Sequence, residues 1–347
     1  MLDQDARNAE ERRDQSDQSY HADHAARAIK VFRKLSAAGK RVRPADAQRC
    51  QDYAIEVLRH QAFVPWLMVY SALAGEFKEG WIPDNFYGSK VIHAIQGPPG
   101  HVSFLKSLSA ALFDSPSIPD LGSRINGSLF DRAYRRVAFD EAREQFFERN
   151  DRVVFKPDDS GRGKGITFFD QRSFDCSSVE ALGNGVFQRC VSQHAFFDQF
   201  SNTSVATIRL TTVVEDSGNI SIRAGHLRLG SGSDTHILPA SQVSVPLDLA
   251  SGALRETGLL SWLECSVHPT SGEPFAGKTI PAFEQCLGTA LSHHQRIPFV
   301  RCIGWDMAVD SDEQPQILEW NGFHNSIILA EALQGPCFKG LGWERFA

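Results

Sequence analysis

Residues 153–168, VVFKPDDSGRGKGITF, constrain the fold more than any other stretch of the chain. Val153, Val154 and Phe155 lead into Lys156. Gly161, Gly163 and Gly165 then alternate with Arg162 and Lys164, and residues 166–169 turn apolar again. Apolar, partly β-branched runs on either side of a glycine-rich break predict a strand, a flexible loop and a returning strand. Glycines let backbone N–H groups turn toward an anion with no Cβ in the way, and the cations supply charge. The same pattern also describes an ordinary hairpin with a solvated basic tip, so both readings stay open on this stretch alone. It is not a P-loop, because Gly165 follows Lys164 where that motif needs Ser or Thr. Nor is it a dinucleotide fingerprint, because a β-like run follows instead of a helix.

A second constellation lies toward the other end. Residues 299–309, FVRCIGWDMAV, and 316–321, QILEWN, are apolar-rich runs flanking the turn sequence SDEQP. Folded antiparallel about Asp312-Glu313, they place Asp306 across from Glu319, with Asn321 two residues along on the same face. Directly opposed carboxylates repel unless a cation sits between them. Asp, Glu and Asn are hard oxygen ligands, and no Cys or His joins them on that face. The set suits Mg²⁺ or Mn²⁺, with nucleotide phosphates completing the shell. The alternative has one carboxylate pointing to solvent at a sheet edge.

Between these segments, residues 204–214, SVATIRLTTVV, form the clearest strand pattern, with Thr207, Arg209, Thr211 and Val213 on one face. An arginine there is costly to bury unpaired, so Arg209 either pairs with a carboxylate or faces a cleft and binds an anion. Residues 185–191 and 220–229 also read as strands; 140–149 and 283–294 read as helices. Upstream, residues 91–96 read as a short strand, 102–113 as a helix and 115–126 as a loop. Residues 1 to about 20 are polar and read as a frayed helix or a disordered tail. Ile29, Phe32 and Leu35 share a helical spacing, a second helix opens at Pro44, and residues 63–73 suit a buried third helix. The turn-rich GWIPDNFYG, residues 80–88, marks the first expected domain boundary.

With 347 residues the chain has room for two or three domains. No apolar run approaches the length of a membrane span, and the N-terminus has no signal-peptide apolar region. Seven cysteines are scattered without a CxxC pair, which points away from a zinc knuckle or a disulfide framework and toward a reducing cytoplasm. A net charge of −6 argues against nucleic acid as the main partner. There is no HExxH, no GxSxG and no evident cysteine nucleophile.

Five blocks in order, VVFKPDDSGRGKGI, FQRCVSQHAFFDQFSNTSVATIRLTTVV, HLRLGSGSDTH, HPTSGEPFAGKTIP and IGWDMAVDSDEQPQILEWNG, resemble the ATP-grasp superfamily. More narrowly, they resemble the sugar-transfer-associated ATP-grasp family. The resemblance covers roughly Ser89 to Phe346 and implies an α+β fold in which two α+β lobes clasp ATP. With residues 1–85 read from their own pattern as an N-terminal helical extension, the expected division is that extension, a pre-ATP-grasp segment and small lobe with the glycine-rich loop at 86–192, and a large lobe with the metal site at 193–347. The resemblance implies that Lys156 holds the α- and β-phosphates and that Gly161, Arg162, Gly163, Lys164 and Gly165 close over the γ-phosphate. Gln188, Cys190 and Val191 would meet adenine at the hinge, and Lys106 matches a second ATP lysine. Asp306, Glu319 and Asn321 would be the Mg²⁺ ligands. Arg209 and Arg228, with Lys164, would act on the phosphates or the acyl phosphate. His194 falls in a recurrent block with no role attached. Asp234-Thr235 stands where the family often carries Asp-Asn, and Leu238-Pro239-Ala240 replaces a glycine pair, which alters the expected acceptor pocket.

The chemistry implied is ATP-dependent. A carboxylate attacks the γ-phosphate, giving an acyl phosphate and ADP, and an amine then displaces phosphate. The substrates expected are a small-molecule carboxylate, such as a sugar acid or amino acid of polysaccharide or secondary metabolism, and an amine. A small-molecule kinase on the same scaffold and a non-catalytic nucleotide-binding protein are the competing expectations.

Overall fold

The computed structural model describes residues 2–161, 163–232, 237 and 241–347. The chain forms two units, one of residues 1–95 with 326–347 and one of residues 96–325.

The first unit is helical. Its longest helix, Leu2–Ala37, turns His24, Ala28 and Leu35 inward, one face at helical spacing. Ile29, expected on that face, lies a third of a turn away and is exposed. The helix Pro44–Asp52 starts on a proline, whose missing N–H costs nothing in a first turn. The helix Val64–Ala74 buries Trp66, Leu67 and Tyr70 and ends at Gly75, whose φ of 77° is the left-handed cap that glycine supplies without strain.

Residues 80–88 are core, not a boundary. Trp81, Ile82, Phe86 and Tyr87 are fully buried, and helical turns follow over Asp84–Phe86, Tyr87–Val91 and Ile92–Ile95. Residues 91–96, expected as a strand, are therefore mostly helical. Val91, Ile92 and Ile95 are buried together, which is a helical recurrence. The helix Ile328–Gln334 belongs to the same unit. Its buried Glu331 accepts the backbone N–H groups of Ile82 and Cys337, both at 2.7 Å, and Trp81 Nε1 donates to the Glu331 carbonyl at 3.1 Å. These bonds explain why residues 326–347, expected in the large lobe, join the helices, and why the unit reaches residue 95 rather than 85.

The second unit carries two antiparallel sheets. The first is built from β1 (Asp120–Ile125), β2 (Ser128–Asp131), β3 (Arg136–Val137), β4 (Arg152–Pro157), β5 (Thr167–Asp170) and β6 (Gly185–Arg189), in the order β3-β2-β1-β6-β4-β5. The expected hairpin is present: β4 and β5 pair antiparallel from Arg152 with Asp170 to Phe155 with Thr167. One face packs Val153, Phe155 and Phe187 against Phe146 and Phe174. The alternate residues Val154, Lys156 and Gln188 share the opposite face with Asp120.

Two upstream expectations change. Residues 115–126 contribute β1 instead of a loop. A Cβ on Gly122 would sit 2.3 Å from the Phe130 carbonyl oxygen, so the glycine marks a close strand contact rather than a turn. Residues 102–113 do not form one helix but break into turns at Pro98–Phe104 and Lys106–Leu108 and a short helix at Ser109–Phe113. The Phe104 carbonyl, which a continuous helix would use internally, instead accepts from Asp159 N at 2.8 Å.

The second sheet comprises β7 (Thr207–Val214), β8 (Ile220–Leu229), β9 (Val243–Pro246), β10 (Gly258–Leu260), β11 (Leu263–Cys265), β12 (Cys302–Val309) and β13 (Pro315–Asn321), in the order β11-β10-β9-β8-β7-β12-β13. Ile208, Leu210, Leu227, Ile303, Trp305 and Met307 share a core with Phe283, Cys286 and Ala290 of the helix Phe283–Arg296. The opposite face holds Arg209, His226, Arg228, Asp306 and Glu319. Among the described residues no helix is long and apolar enough to cross a membrane.

Candidate active site

The acidic hairpin has the expected register: Asp306 pairs with Glu319 and Gly304 with Asn321. A bulge follows, because Met307 pairs with Ile317 and leaves Leu318 with no residue opposite. The Leu318 carbonyl, freed from the ladder, accepts Lys156 Nζ at 3.0 Å. A residue of β4 in the first sheet thus reaches β13 in the second.

Arg209 lies opposite Asp306 on β7 and pairs with that carboxylate, the first of its two alternatives. Its Nε and Nη2 donate to Asp306 Oδ1 and Oδ2 at 2.7 and 2.8 Å, and its Nη1 donates to the Asn325 carbonyl at 2.6 Å. Arg228 Nη1 adds a bond to Asp306 Oδ1 at 2.8 Å. Burial alone would raise the Asp306 carboxyl, but Arg209 and Arg228 hold it well below the usual carboxylate range. Burial pushes the Arg228 guanidinium below its ordinary value, whereas for Arg209 the contact with Asp306 outweighs burial and the shift is upward. Gly304 makes this packing feasible, because a Cβ there would lie 2.9 Å from Arg209 Nη1.

Glu319 is half-buried and faces Lys106, Oε1 to Nζ 3.2 Å; Lys106 also donates to the Ser160 carbonyl at 2.6 Å. Asn321 Nδ2 lies 3.4 Å from Asp306 Oδ2 and 3.3 Å from the Gly304 carbonyl. Burial pushes the Lys156 ammonium below the ordinary lysine value, against the pull of Glu319 and Asp120. Four cations, Lys106, Lys156, Arg209 and Arg228, thus face three carboxylates, Asp120, Asp306 and Glu319. The excess of positive charge in a sheltered cleft suits an anion. Among the described residues no three His, Cys, Asp or Glu side chains gather for a metal; the oxygen donors are two carboxylates and the Asn321 amide.

The glycine-rich loop is anchored at its base. Asp158 accepts Ser107 N at 2.9 Å and Ser107 Oγ at 2.7 Å. Gly163 and Gly165 have φ of 74° and 73°, the left-handed region, and a Cβ on Gly165 would also strike Pro157 at 2.9 Å. Gly161 is exposed with open space around it, and Lys164 is exposed. Arg162 lies outside the described residues, as do Asp234, Thr235, His236 and the stretch Leu238-Pro239-Ala240. Gln188 is buried and donates from Nε2 to Asp120 Oδ1 at 2.8 Å. Cys190, exposed, and Val191, half-buried, follow β6.

Sequence patterns missed Asp120, which burial pushes up to about 6 against the Gln188 hydrogen bond. They also left His226 without a role. It faces Arg209 across β7 and β8, and its Nδ1 is buried with no hydrogen-bond partner. Burial, then Arg228 and Arg209, bring its imidazole down to about 3, so it is neutral. His194 Nδ1 accepts Phe196 N at 3.1 Å, the part of a helix cap. His294 bridges Thr212 Oγ1 and the Val300 carbonyl inside the core.

A family model described as sugar-transfer associated ATP-grasp matches residues 125–336. The chain belongs to this family. Its pair of antiparallel sheets with helices is accordingly the ATP-grasp α+β fold. Solved structures of similar fold include D-cycloserine synthetase DcsG, 13% identical over 73% of this chain and 74% of that one, with a TM-score of 0.44. The ATP-grasp ligase PsnB, complexed with minimal precursor, is 11% identical over 70% of this chain and 58% of its own, with a TM-score of 0.40. Biotin carboxylase from Campylobacter jejuni is 12% identical over 92% and 67%, with a TM-score of 0.45. The chain thus spans little more than half the length of PsnB. No curated protein matches the sequence.

Proposed function

We propose that this ATP-grasp chain is an ATP- and Mg²⁺-dependent ligase that joins a carboxylate to an amine through an acyl phosphate. The observation that carries the reading is the cleft-face pairing of Asp306 with Glu319, ringed by Lys106, Lys156, Arg209 and Arg228. An Asp, a Glu and an Asn amide make a hard-oxygen donor set, which fits Mg²⁺ and also Mn²⁺. Asp306, Glu319 and Asn321 would hold the ion, which when bound offsets phosphate charge. Asp306 stays ionised there because Arg209 and Arg228 favour its charged form.

Lys156 and Lys106 would bind the nucleotide phosphates. Lys156 rests on the Leu318 carbonyl, a weaker partner than a phosphate anion, and Lys106 is shared between the Ser160 carbonyl and Glu319. Arg209 and Arg228 would face the oxygens of the transferring phosphoryl group, where fixed positive charge lowers the barrier most. Gly161, Gly163 and Gly165 would let the loop close and exclude water, which protects an acyl phosphate from hydrolysis. Arg162 and Lys164 would bring charge with the loop. Gln188, with the backbone of Cys190 and Val191, would meet the base. The chemistry needs no protein nucleophile, since the substrate carboxylate attacks. A sugar acid or an amino acid suits the two arginines as the carboxylate partner.

The test is ATP consumption by the purified chain with Mg²⁺, against pools of carboxylates with and without pools of amines. ADP together with a product mass equal to acid plus amine minus water is expected, and Lys156→Met should lower turnover at least 100-fold, in line with loss of one phosphate-binding charge. AMP as the product would overturn the acyl-phosphate route. ADP with a phosphorylated product that ignores amines would make the protein a kinase.

A further inference from the structure

We propose that Asp120, acting through Gln188, sets the base specificity of the nucleotide site, favouring a purine with an exocyclic amine over one with a carbonyl. The inference rests on the nucleotide-binding reading above and adds a positioning residue to it.

Asp120 and Gln188 are register partners on β1 and β6, so their side chains share one face of the first sheet. Both are buried, and Gln188 Nε2 lies 2.8 Å from Asp120 Oδ1. A side-chain amide fits its site in two orientations, but an ionised carboxylate accepts hydrogen bonds and donates none. The Asp120 carboxyl is ionised above about pH 6. It therefore fixes the amide with its NH₂ group toward β1 and its carbonyl Oε1 turned the other way. Gln188 Oε1 is buried and has no hydrogen-bond partner. Gln188 also lines a pocket walled by Ile118, Ile317 and Leu318, with Lys106 and Glu319 in the same lining. Gln188 and Lys106 thus share a lining in which Ile118, Ile317, Leu318 and Trp320 supply apolar walls for a flat base and Ser103, Ser109 and Glu319 supply polar ones.

Asp120 itself is held. Arg132 Nη1 donates to the carbonyls of Ile118 and Asp120 at 2.8 and 2.7 Å, and its Nη2 to that of Ser115 at 2.7 Å. These bonds fix the backbone that carries Asp120, and the carboxylate itself is held by burial and by the Gln188 amide. An amine at purine position 6 donates to Gln188 Oε1 and satisfies it. A carbonyl there sets two acceptors against each other at a buried position, which is the stronger form of discrimination.

The experiment is titration calorimetry of the full chain with non-hydrolysable ATP and GTP analogues and Mg²⁺, above pH 7.5. Wild-type protein is expected to prefer the ATP analogue by roughly 100-fold or more. Asp120→Asn lets the amide of Gln188 turn either way, because an asparagine offers an oxygen or an NH₂ group. The ATP-to-GTP preference should then narrow at least about tenfold, with tighter GTP binding contributing. Gln188→Met, which removes the acceptor but keeps an apolar wall, should narrow it as well and serves if Asp120→Asn does not fold. A ratio unchanged in either folded variant that still binds ATP overturns the role of Asp120 and Gln188 while leaving the nucleotide reading intact. Wild-type protein that binds neither analogue sinks both.

Discussion

Replacing Asp306 by asparagine tests whether the carboxylate holds the free protein together as well as serving chemistry. In the structure it accepts three guanidinium hydrogen bonds of 2.7, 2.8 and 2.8 Å. Side-chain exposure is 8% for Asp306, 11% for Arg209 and 23% for Arg228, so water can take over only part of the loss. Asparagine keeps one acceptor oxygen and sets an NH₂ group against a guanidinium. Removing one charge from a buried pair costs about 3–5 kcal/mol. The more exposed Arg228 recovers some of that, which places the expected loss near 3 kcal/mol. For a unit of this size each kcal/mol moves the midpoint by about 2–4 °C, so Tm should fall by roughly 6–12 °C. Thermal unfolding without nucleotide or Mg²⁺ measures it. Arg209→Met combined with Asp306→Leu should lose less than the sum of the two single changes, because the double variant leaves fewer unpaired buried charges. A Tm within about 2 °C of wild type for Asp306→Asn would refute the reasoning, because the arginines would then have other support.

Two further outcomes follow from named contacts. Burial brings Glu331 up to about 8 from its ordinary 4.5. A carboxyl raised on folding contributes stability that is complete below its unfolded pKa and is lost as pH rises through the folded one, so wild-type stability should fall between about pH 4.5 and 8. Glu331→Gln removes this dependence; denaturation midpoints should show it weaker than wild type at pH 5 and level with or above it at pH 9, and parallel curves would contradict the assignment. Gly304→Ala forces a Cβ to within 2.9 Å of Arg209 Nη1 and 3.0 Å of Asn325 Cβ, and Arg209 is pinned by three hydrogen bonds. A destabilisation of about 1–3 kcal/mol is expected by urea titration, and a change below about 0.5 kcal/mol would mean that Arg209 yields freely.

The two hairpins were legible because their information is local. A turn sequence between apolar runs fixes which residues face each other, and strand alternation puts Asp306 and Glu319 on one face. The bulge at Leu318 was not legible, since Lys156, which takes up its free carbonyl, lies far away in sequence. Asp120 was hidden for a related reason. Its strand carries Asp, Gly, Ser and Arg, residues that read as loop until the first sheet is assembled around them. The turn-rich residues 80–88 misled in the opposite direction. Glycine and proline suggested a break, yet the aromatic residues among them fill a core completed by the C-terminal helix. Nothing local distinguishes a buried turn from an exposed one.

The bonds from Trp81 and Ile82 to Glu331 span 250 and 249 residues of chain. The helical unit is made from both ends of the polypeptide, while the sheet unit occupies one continuous length between them. During synthesis, residues 96–325 can emerge and fold as a block while the N-terminal helices still lack the strand of contacts that closes their core. Residues 326–347 thus complete a unit begun by residues made long before them. Trp81 and Ile82, fully buried in the finished unit, gain their bonds to Glu331 only after that interval. A nascent chain stalled at residue 325 would carry a complete sheet unit and an unfinished helical one, a state open to aggregation and to capture by chaperones.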